Sequence, residues 1–295
     1  MADIKRAGIK YESAAQQEAL RDQDEESSVT DATRLSAKLI YEVIRRDGEE
    51  ELHRPVPSLI WSGVAAGILI SLSVLAEAIL RSHLDPASPG SFLVENLGYS
   101  LGFIVVIFGR MQLFTENTIT TVLPVIANPT RSNGVSMARL WVVVLAANMV
   151  GAFLAAAFLG LTEVLDPALR GVIGDLSRHA TGMGAYESFL RAIPAGVLIA
   201  TVVWLMPSAT GNAFFIVLAF TWLIAVGDFS HVIAGSVEMA FLMLRGELGA
   251  TPAIFEFFLP VLAGNIIGGT MIFTLLAWGQ VRHEVAHGTR SKSNR

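Results

Sequence analysis

The chain has 295 residues, 53% of them hydrophobic and 16% charged, with no cysteine and a net charge of −5. A soluble domain carries about 25% charged residues, so much of this surface does not meet water. Disulfide frameworks and cysteine-ligated metal sites are excluded, and no part of the chain forms a basic nucleic-acid platform.

Charge is concentrated at the start: residues 1–57 hold 9 Lys/Arg and 13 Asp/Glu, leaving 12 and 13 for the other 238. The opening residues lack the apolar run of a signal peptide, so no cleavage is expected before the membrane segments. Residues 1–57 read as a cytoplasmic tail, with an acidic stretch at Asp22, Asp24, Glu25 and Glu26 followed by a helix. Leu35, Leu39, Ile40, Val43 and Ile44 recur at helical spacing on one face of it. That face either docks on the cytoplasmic mouth or membrane surface, or packs as a linker on its neighbours.

Crossing ~30 Å of hydrocarbon takes about 20 helical residues. Six segments qualify: 58–80, 92–126, 136–165, 188–206, 212–244 and 252–278. The expected fold is therefore an all-α polytopic membrane protein with six transmembrane helices. Its domains are the tail 1–57, a transport domain 58–279 and a basic cytoplasmic tail 280–295. An even number of spans puts both termini on one side. Ten Lys/Arg near the membrane ends fall on the tail side and four (Arg81, Arg170, Arg178, Arg245) on the other. The bias places both termini in the cytoplasm of a cell (inner or plasma) membrane.

The spans repeat. Leu145-Ala-Ala-Asn148-Met-Val-Gly151 in span three recurs 117 positions later as Leu262-Ala-Gly-Asn265-Ile-Ile-Gly268 in span six. Spans one and four share Ala66-Gly67-Ile-Leu-Ile and Ala195-Gly196-Val-Leu-Ile; spans two and five pair Phe114-Thr115-Glu116 with Phe229-Ser230-His231. Any one match fits ordinary small-residue helix packing, but the ordered set points to an internal repeat. Three spans per repeat is an odd number, so the second half enters from the opposite side. An inverted 3+3 repeat of this kind places its site near the midplane, where broken helices meet.

The breaks are visible too. Span two carries Gly109-Arg110-Met-Gln112-Leu-Phe-Thr115-Glu116-Asn117, and span five carries Gly227-Asp228-Phe-Ser230-His231. A charge at mid-membrane costs about 2.5 to 3.5 kcal/mol on insertion scales, so these groups must face a cavity or one another. Arg110 is expected to neutralise Glu116 or Asp228 in a charge network bracing the breaks; the other reading of the three is a proton relay beside the pore, or selection for a substrate other than formate. Glu77, Glu95 and Glu238 are expected to reach the interface or a buried partner. Free amides at the half-helix N-termini would favour a small anion.

At these residues the chain resembles the formate/nitrite transporter family. Leu113-Phe-Thr115 and Phe229-Ser-His231-x-Ile-Ala carry the resemblance, with the Asn148 and Asn265 stretches, over about residues 58–278. It implies an aquaporin-like bundle with broken second and fifth helices, a homopentamer with one pore per protomer, and passage of small monovalent anions such as formate or nitrite. His231 would be the central pore residue and Thr115 would face it. Tyr99, Leu113 and Ile224 would narrow the pore, and Phe114, Phe229, Ser230, Glu116 and Asn117 would belong to the pathway. The chain departs from the formate channels at Gly235, where they have asparagine, and at Glu116 and Asn117, where they have small residues. It also lacks their vestibule lysine: no basic residue stands between His179 and Arg191.

The expected function is a channel or transporter for small weak-acid anions, with protons as partners and passage assisted by protonation at His231. A proton-coupled secondary transporter is the alternative. His283-Glu284-Val-Ala-His287 matches the H-E-x-x-H pattern of zinc proteases, but only eight residues follow it and no third ligand. The Gly264-Asn-Ile-Ile-Gly268-Gly269 run lies inside a span with no strand before it, which excludes a dinucleotide fold. No enzyme activity, cofactor or metal is expected.

Overall fold

The computed structural model describes residues 35–209 and 211–293, with side chains up to residue 284. The acidic stretch Asp22, Asp24, Glu25 and Glu26 and the side chain of His287 lie outside the described residues. Among the described residues every regular element is helical.

Helix α1 (Ala37–Leu52) buries Ile40, Tyr41, Ile44 and Leu52, while Leu39 on the expected apolar face is exposed. Its polar face is held by Arg45, which bonds both Glu42 and Glu49. The hydrogen bond from Arg45 brings the Glu42 carboxyl down to about 2, against the drag of burial. A depressed carboxyl contributes stability above its unfolded value and loses it as pH falls through about 2, so this pairing is intact throughout the physiological range.

The first crossing is α2 (Val56–Leu69), entered through Pro55 and a proline in its first turn, continued after Ile70 by α3 (Ser71–His83). The second is built from α4 (Ser91–Glu95), α5 (Ser100–Phe108), α6 (Phe114–Thr120) and α7 (Val122–Ala127). The third is α8 (Arg131–Leu161), whose first turn is capped by the Thr130 hydroxyl accepting from Asn133 N–H at 3.2 Å. It stops at Leu161, short of the expected 165, and is followed by a helix not anticipated from sequence. This is α9 (Pro167–Thr181), capped by Asp166 Oδ1 accepting from Leu169 N–H. Arg170, Asp175 and Arg178 break its hydropathy, yet Ile173, Leu176 and Thr181 line one buried stripe, as an amphipathic helix at the membrane end requires.

The fourth crossing is α10 (Ala185–Leu205), and the fifth consists of α11 (Ala213–Val226) and α12 (Val232–Leu244). The sixth runs through a turn at Ala250–Pro252, a π-helical stretch Ala253–Phe258, α13 (Leu259–Ile266), a second π stretch Ile267–Thr274, and α14 (Leu275–Ser293). Five of the described helical stretches are long and apolar enough to cross a membrane by themselves; the fifth crossing is made by two shorter helices.

The first and fourth crossings run in opposite directions. Glu77 and Arg81, late in the first, and Asp228 line one cavity; Val202 and Met206, late in the fourth, line another together with residues of α1. The two halves are locked by matching contacts. Asn148 Oδ1 accepts from Phe114 N–H (2.9 Å), and its Nδ2 donates to Gly63 O and Gln112 O (2.8 Å each). Asn265 repeats the set with Val232 N–H (2.8 Å), Ala192 O (2.8 Å) and Ser230 O (2.9 Å). Gly67 and Gly196 permit this approach: a Cβ there would sit 2.2 Å from Asn148 O and 2.3 Å from Asn265 O.

Replacing Asn148 or Asn265 by Ala strands two buried backbone groups of the break, at about 1–3 kcal/mol each, and removes a third bond to a helix carbonyl of the neighbouring crossing. Either substitution is expected to lower the thermal midpoint for monodisperse elution in detergent by roughly 5 °C or more, and a shift under about 2 °C would contradict the bracing role.

Candidate functional site

Both breaks are the same backbone device. After α5, Arg110 N–H bonds Ile107 O and Met111 N–H bonds Val106 O, with Arg110 at φ 51°. After α11, Asp228 N–H bonds Ala225 O and Phe229 N–H bonds Ile224 O, with Asp228 at φ 53°. These are Schellman closures in which a non-glycine residue occupies the left-handed position, with Gly109 and Gly227 one residue earlier. The chain then restarts through Leu113 (φ −102°, ψ 126°) and His231 (φ −106°, ψ 125°) as N-caps of α6 and α12.

This geometry corrects the register of the repeat. Leu113 is equivalent to His231, Gln112 to Ser230 and Phe114 to Val232, so the pairing of Phe114-Thr115-Glu116 with Phe229-Ser230-His231 is displaced by three residues. The sequence similarity followed shared letters, whereas equivalence here is set by backbone dihedrals and by which amide each asparagine takes. A second correction concerns those amides. Phe114 N–H and Val232 N–H are not free for an anion, because the asparagine carbonyls accept them.

His231 is 2% exposed and meets Thr115, 1% exposed, through Nε2 and Oγ1 at 2.8 Å. Its Nδ1 accepts from Ala234 N–H at 3.3 Å, as the helix cap. A ring nitrogen that accepts carries no proton, so the network assigns the neutral tautomer with hydrogen on Nε2, donated to the Thr115 oxygen. The Thr115 hydroxyl proton has no protein acceptor among the described residues. Phe103 meets the imidazole edge-on at 4.9 Å and Tyr99 lies 5.3 Å from Phe103, so aromatic rings wall the histidine.

A cavity of about 430 Å³ opens from His231 away from α1, lined by Tyr99, Ile224, Phe229, Ser230 and Phe257 among others. It also carries Glu77, Arg81, Glu95, His179, Asp228 and Glu238. Asp228 is paired with Arg191 and with His179 (3.0 Å), and Glu95 lies 3.9 Å from Arg81. Glu77 and Glu238 have no ion pair or hydrogen bond among the described residues. All three expected interfacial glutamates therefore face this cavity.

A second cavity, of about 380 Å³, opens toward α1 and is lined by Asp47, Glu51, Arg110, Gln112, Leu113, Glu116 and Asn117. Gln112 Nε2 donates to Glu51 Oε2 (2.7 Å), and Asn117 Nδ2 donates to Gln112 Oε1 (3.1 Å), tying α1 to the break. Of the expected network, the link from Arg110 to Asp228 does not form, while Arg110 and Glu116 line the same cavity within electrostatic reach of each other. Arg110 and Asp228 face different cavities, and Glu116 Oε1 is buried without a hydrogen-bond partner among the described residues. The inverted orientation of the halves sends equivalent break residues to opposite sides, which nearness in sequence pattern does not reveal. Phe114 faces neither cavity; its ring packs edge-on against Trp141 at 5.6 Å.

The residues missed from sequence are Phe103, Phe257, Arg191, His179, Asp47 and Glu51. The aromatic ones carry no signal inside an apolar run. Arg191 stands out as the last charge before an uncharged stretch, a signal that was present. Among the described residues no group of three or more His, Asp or Glu could hold a metal, His283 and Glu284 included.

Arg110 has no ion-pair partner among the described residues and sits in a backbone region costing a non-glycine residue about 1–2 kcal/mol. Arg110→Gly is expected to raise the unfolding midpoint by a few degrees. Asp228→Gly, which relieves the same strain but releases Arg191 and His179, is expected to lower it. The same differential scanning experiment on both variants checks the contrast.

A family model described as formate/nitrite transporter matches residues 38–279. Inner membrane protein YfdC of Escherichia coli strain K12 is 43% identical over 257 residues, covering 87% of this chain and 83% of that protein. A solved structure titled FNT family ion channel superposes with a TM-score of 0.71 at 17% identity, covering 82% of this chain and 98% of that one. A second, a pentameric formate channel with formate bound, gives 0.64 at 19% identity, covering 76% and 96%. These two likenesses concern the fold.

Proposed function

The chain belongs to the formate/nitrite transporter family, and on that premise we propose that it forms a pore for small monovalent weak acids of the formate or nitrite kind, with passage assisted by a proton shared at His231. The observation that carries this reading is the buried Thr115–His231 pair, 2.8 Å apart, between two cavities. An unpaired anion in that desolvated zone is costly. The Thr115 hydroxyl, polarised by the Nε2–H donated to its oxygen, offers the anion a hydrogen bond of the stronger, charge-assisted kind. Adding a second proton to the ring means giving up the Ala234 bond, which favours sharing over outright donation by the histidine.

The cavity on the His231 side supports entry in protonated form. Glu77 and Glu238 line it without an ion-pair partner among the described residues, and a buried carboxyl without a cation offers a resident anion no counter-charge. Leu113, Tyr99 and Ile224 serve as apolar narrowings, and Phe229, Ser230, Glu116 and Asn117 border the pathway. Phe114 supports it from behind.

Arginine and lysine bias puts the α1 side in the cytoplasm of the cell membrane. Residues 1–57 and 280–295 are then cytoplasmic flanks of the transport domain 58–279. Likeness to the pentameric formate channel supports a homopentamer with one pore per protomer.

In proteoliposomes His231→Phe is expected to reduce formate and nitrite uptake about tenfold or more and to remove its dependence on pH between about 5 and 8. His231→Gln retains a donor for Thr115 and is expected to keep a larger share of the flux. Flux through the Phe variant equal to the parent at every pH overturns the reading. Uptake against a concentration gradient driven by a pH gradient would identify a proton-coupled carrier in place of a channel.

A further inference from the structure

The approach to His231 from the cavity carrying Glu77 and Glu238 contains a side-chain exchange that the repeat makes visible. Gly235 lies one turn after His231 in α12, its N–H bonded to His231 O at 2.9 Å. Its equivalent in the other half is Asn117, one turn after Leu113, buried and bonded to Gln112 Oε1 and Leu113 O. At Gly235 no side chain exists, and the place is taken from another helix. A Cβ added there would lie 2.5 Å from Phe257 Cζ and 3.3 Å from its Cε1.

Phe257 reaches this slot from the π-helical stretch Ala253–Phe258. A π turn adds a residue without completing the α repeat and so re-aims the side chains that follow it. The equivalent stretch of the third crossing, around Leu140 in α8, is regular α-helix. The ring of Phe257 is 1% exposed, and it shares the cavity lining with His231, Tyr99 and Ile224. One half of the pathway thus meets the centre past a carboxamide, and the other past a phenyl ring.

We propose that Phe257, seated where Gly235 has no side chain, is the specificity-determining residue of this half of the pore and sets its upper size limit, admitting acids of formate or nitrite size and excluding those with one or more further carbons. The proposal rests on the weak-acid reading above and adds the identity of the sieve. A ring held by a glycine on one side and by its own helix on the other cannot swing aside, and close-packed interiors discriminate against a single extra methylene about 10- to 200-fold.

The test measures formate, acetate and lactate uptake at one pH in proteoliposomes of the full-length protein and its variants. Phe257→Ala is expected to keep formate flux and to raise the acetate-to-formate ratio about tenfold or more, with lactate rising further. Gly235→Ala alone is expected to press on the ring and lower flux of every acid. Gly235→Ala combined with Phe257→Ala is expected to assemble and to bring the ratio part of the way back, since the methyl refills the slot. If Phe257→Ala fails to assemble, Phe257→Leu carries the test, with a ratio raised about threefold or more. A merely structural role for Phe257 lowers all acids in proportion, and an acetate-to-formate ratio within about twofold of the parent overturns the proposal while leaving the function standing. A parent protein that passes neither formate nor nitrite overturns the weak-acid reading itself, and the sieve with it.

Discussion

Two helices interrupted at the depth of a membrane leave backbone amides and carbonyls with no water to satisfy them. Asn148 and Asn265 solve this, each from a neighbouring crossing. A carboxamide has one oxygen that accepts and a nitrogen that donates twice, so one side chain can close the first turn of a half-helix, hold one carbonyl of the break and anchor both to a helix carbonyl of a neighbouring crossing. Asp would lack the donors and Leu would lack everything. The glycines at 67 and 196 matter for the same reason, since they let the crossings come close enough for those bonds. The positions of Thr115 and His231 follow, because each is fixed at or beside the first residue of a half-helix that an asparagine holds.

At the two breaks the backbone repeats one pattern, while the side chains depart from it where the chemistry lies. Leu113 stands opposite His231, Asn117 opposite Gly235, and Arg110 opposite Asp228. The consequence is a pathway with unlike halves. Toward α1 the lining is carboxamide and carboxylate, tied to the first helix through Gln112 and Glu51. On the other side aromatic rings surround the histidine, and Asp228 is bonded to Arg191 and His179 while Glu77 and Glu238 have no ion pair among the described residues. A symmetric scaffold gives stability twice for one solution; the exchanges within it make the two halves chemically unlike.

Much of this was legible in the residues. Six apolar segments, the paired asparagine motifs and the polar interruptions at Gly109 and Gly227 all depend on local composition. Hydropathy and short-range pattern report that directly. The misreadings share one cause. The repeat register was drawn from matching letters at Phe114 and Phe229, yet Arg110 and Asp228 are equivalent by backbone conformation and have opposite charges. The same inversion separated the two residues that charge alone would pair. Helix α9 was hidden because its surface arginines and aspartate dilute an apolar stripe that faces only its neighbours.

The sequence by itself determined that the chain is an all-helical membrane protein built twice over, with breaks that had to be satisfied from within and a histidine placed at one of them. Those properties follow from solvent: what cannot face lipid or go unbonded is restricted wherever it occurs along the chain. Only the tertiary structure decided which partner satisfies which break, on which side each charge emerges, and that the ring of Phe257 occupies the space left by Gly235. Those outcomes depend on distances between residues far apart in the chain, and on a change of helical pitch in the sixth crossing that composition does not record.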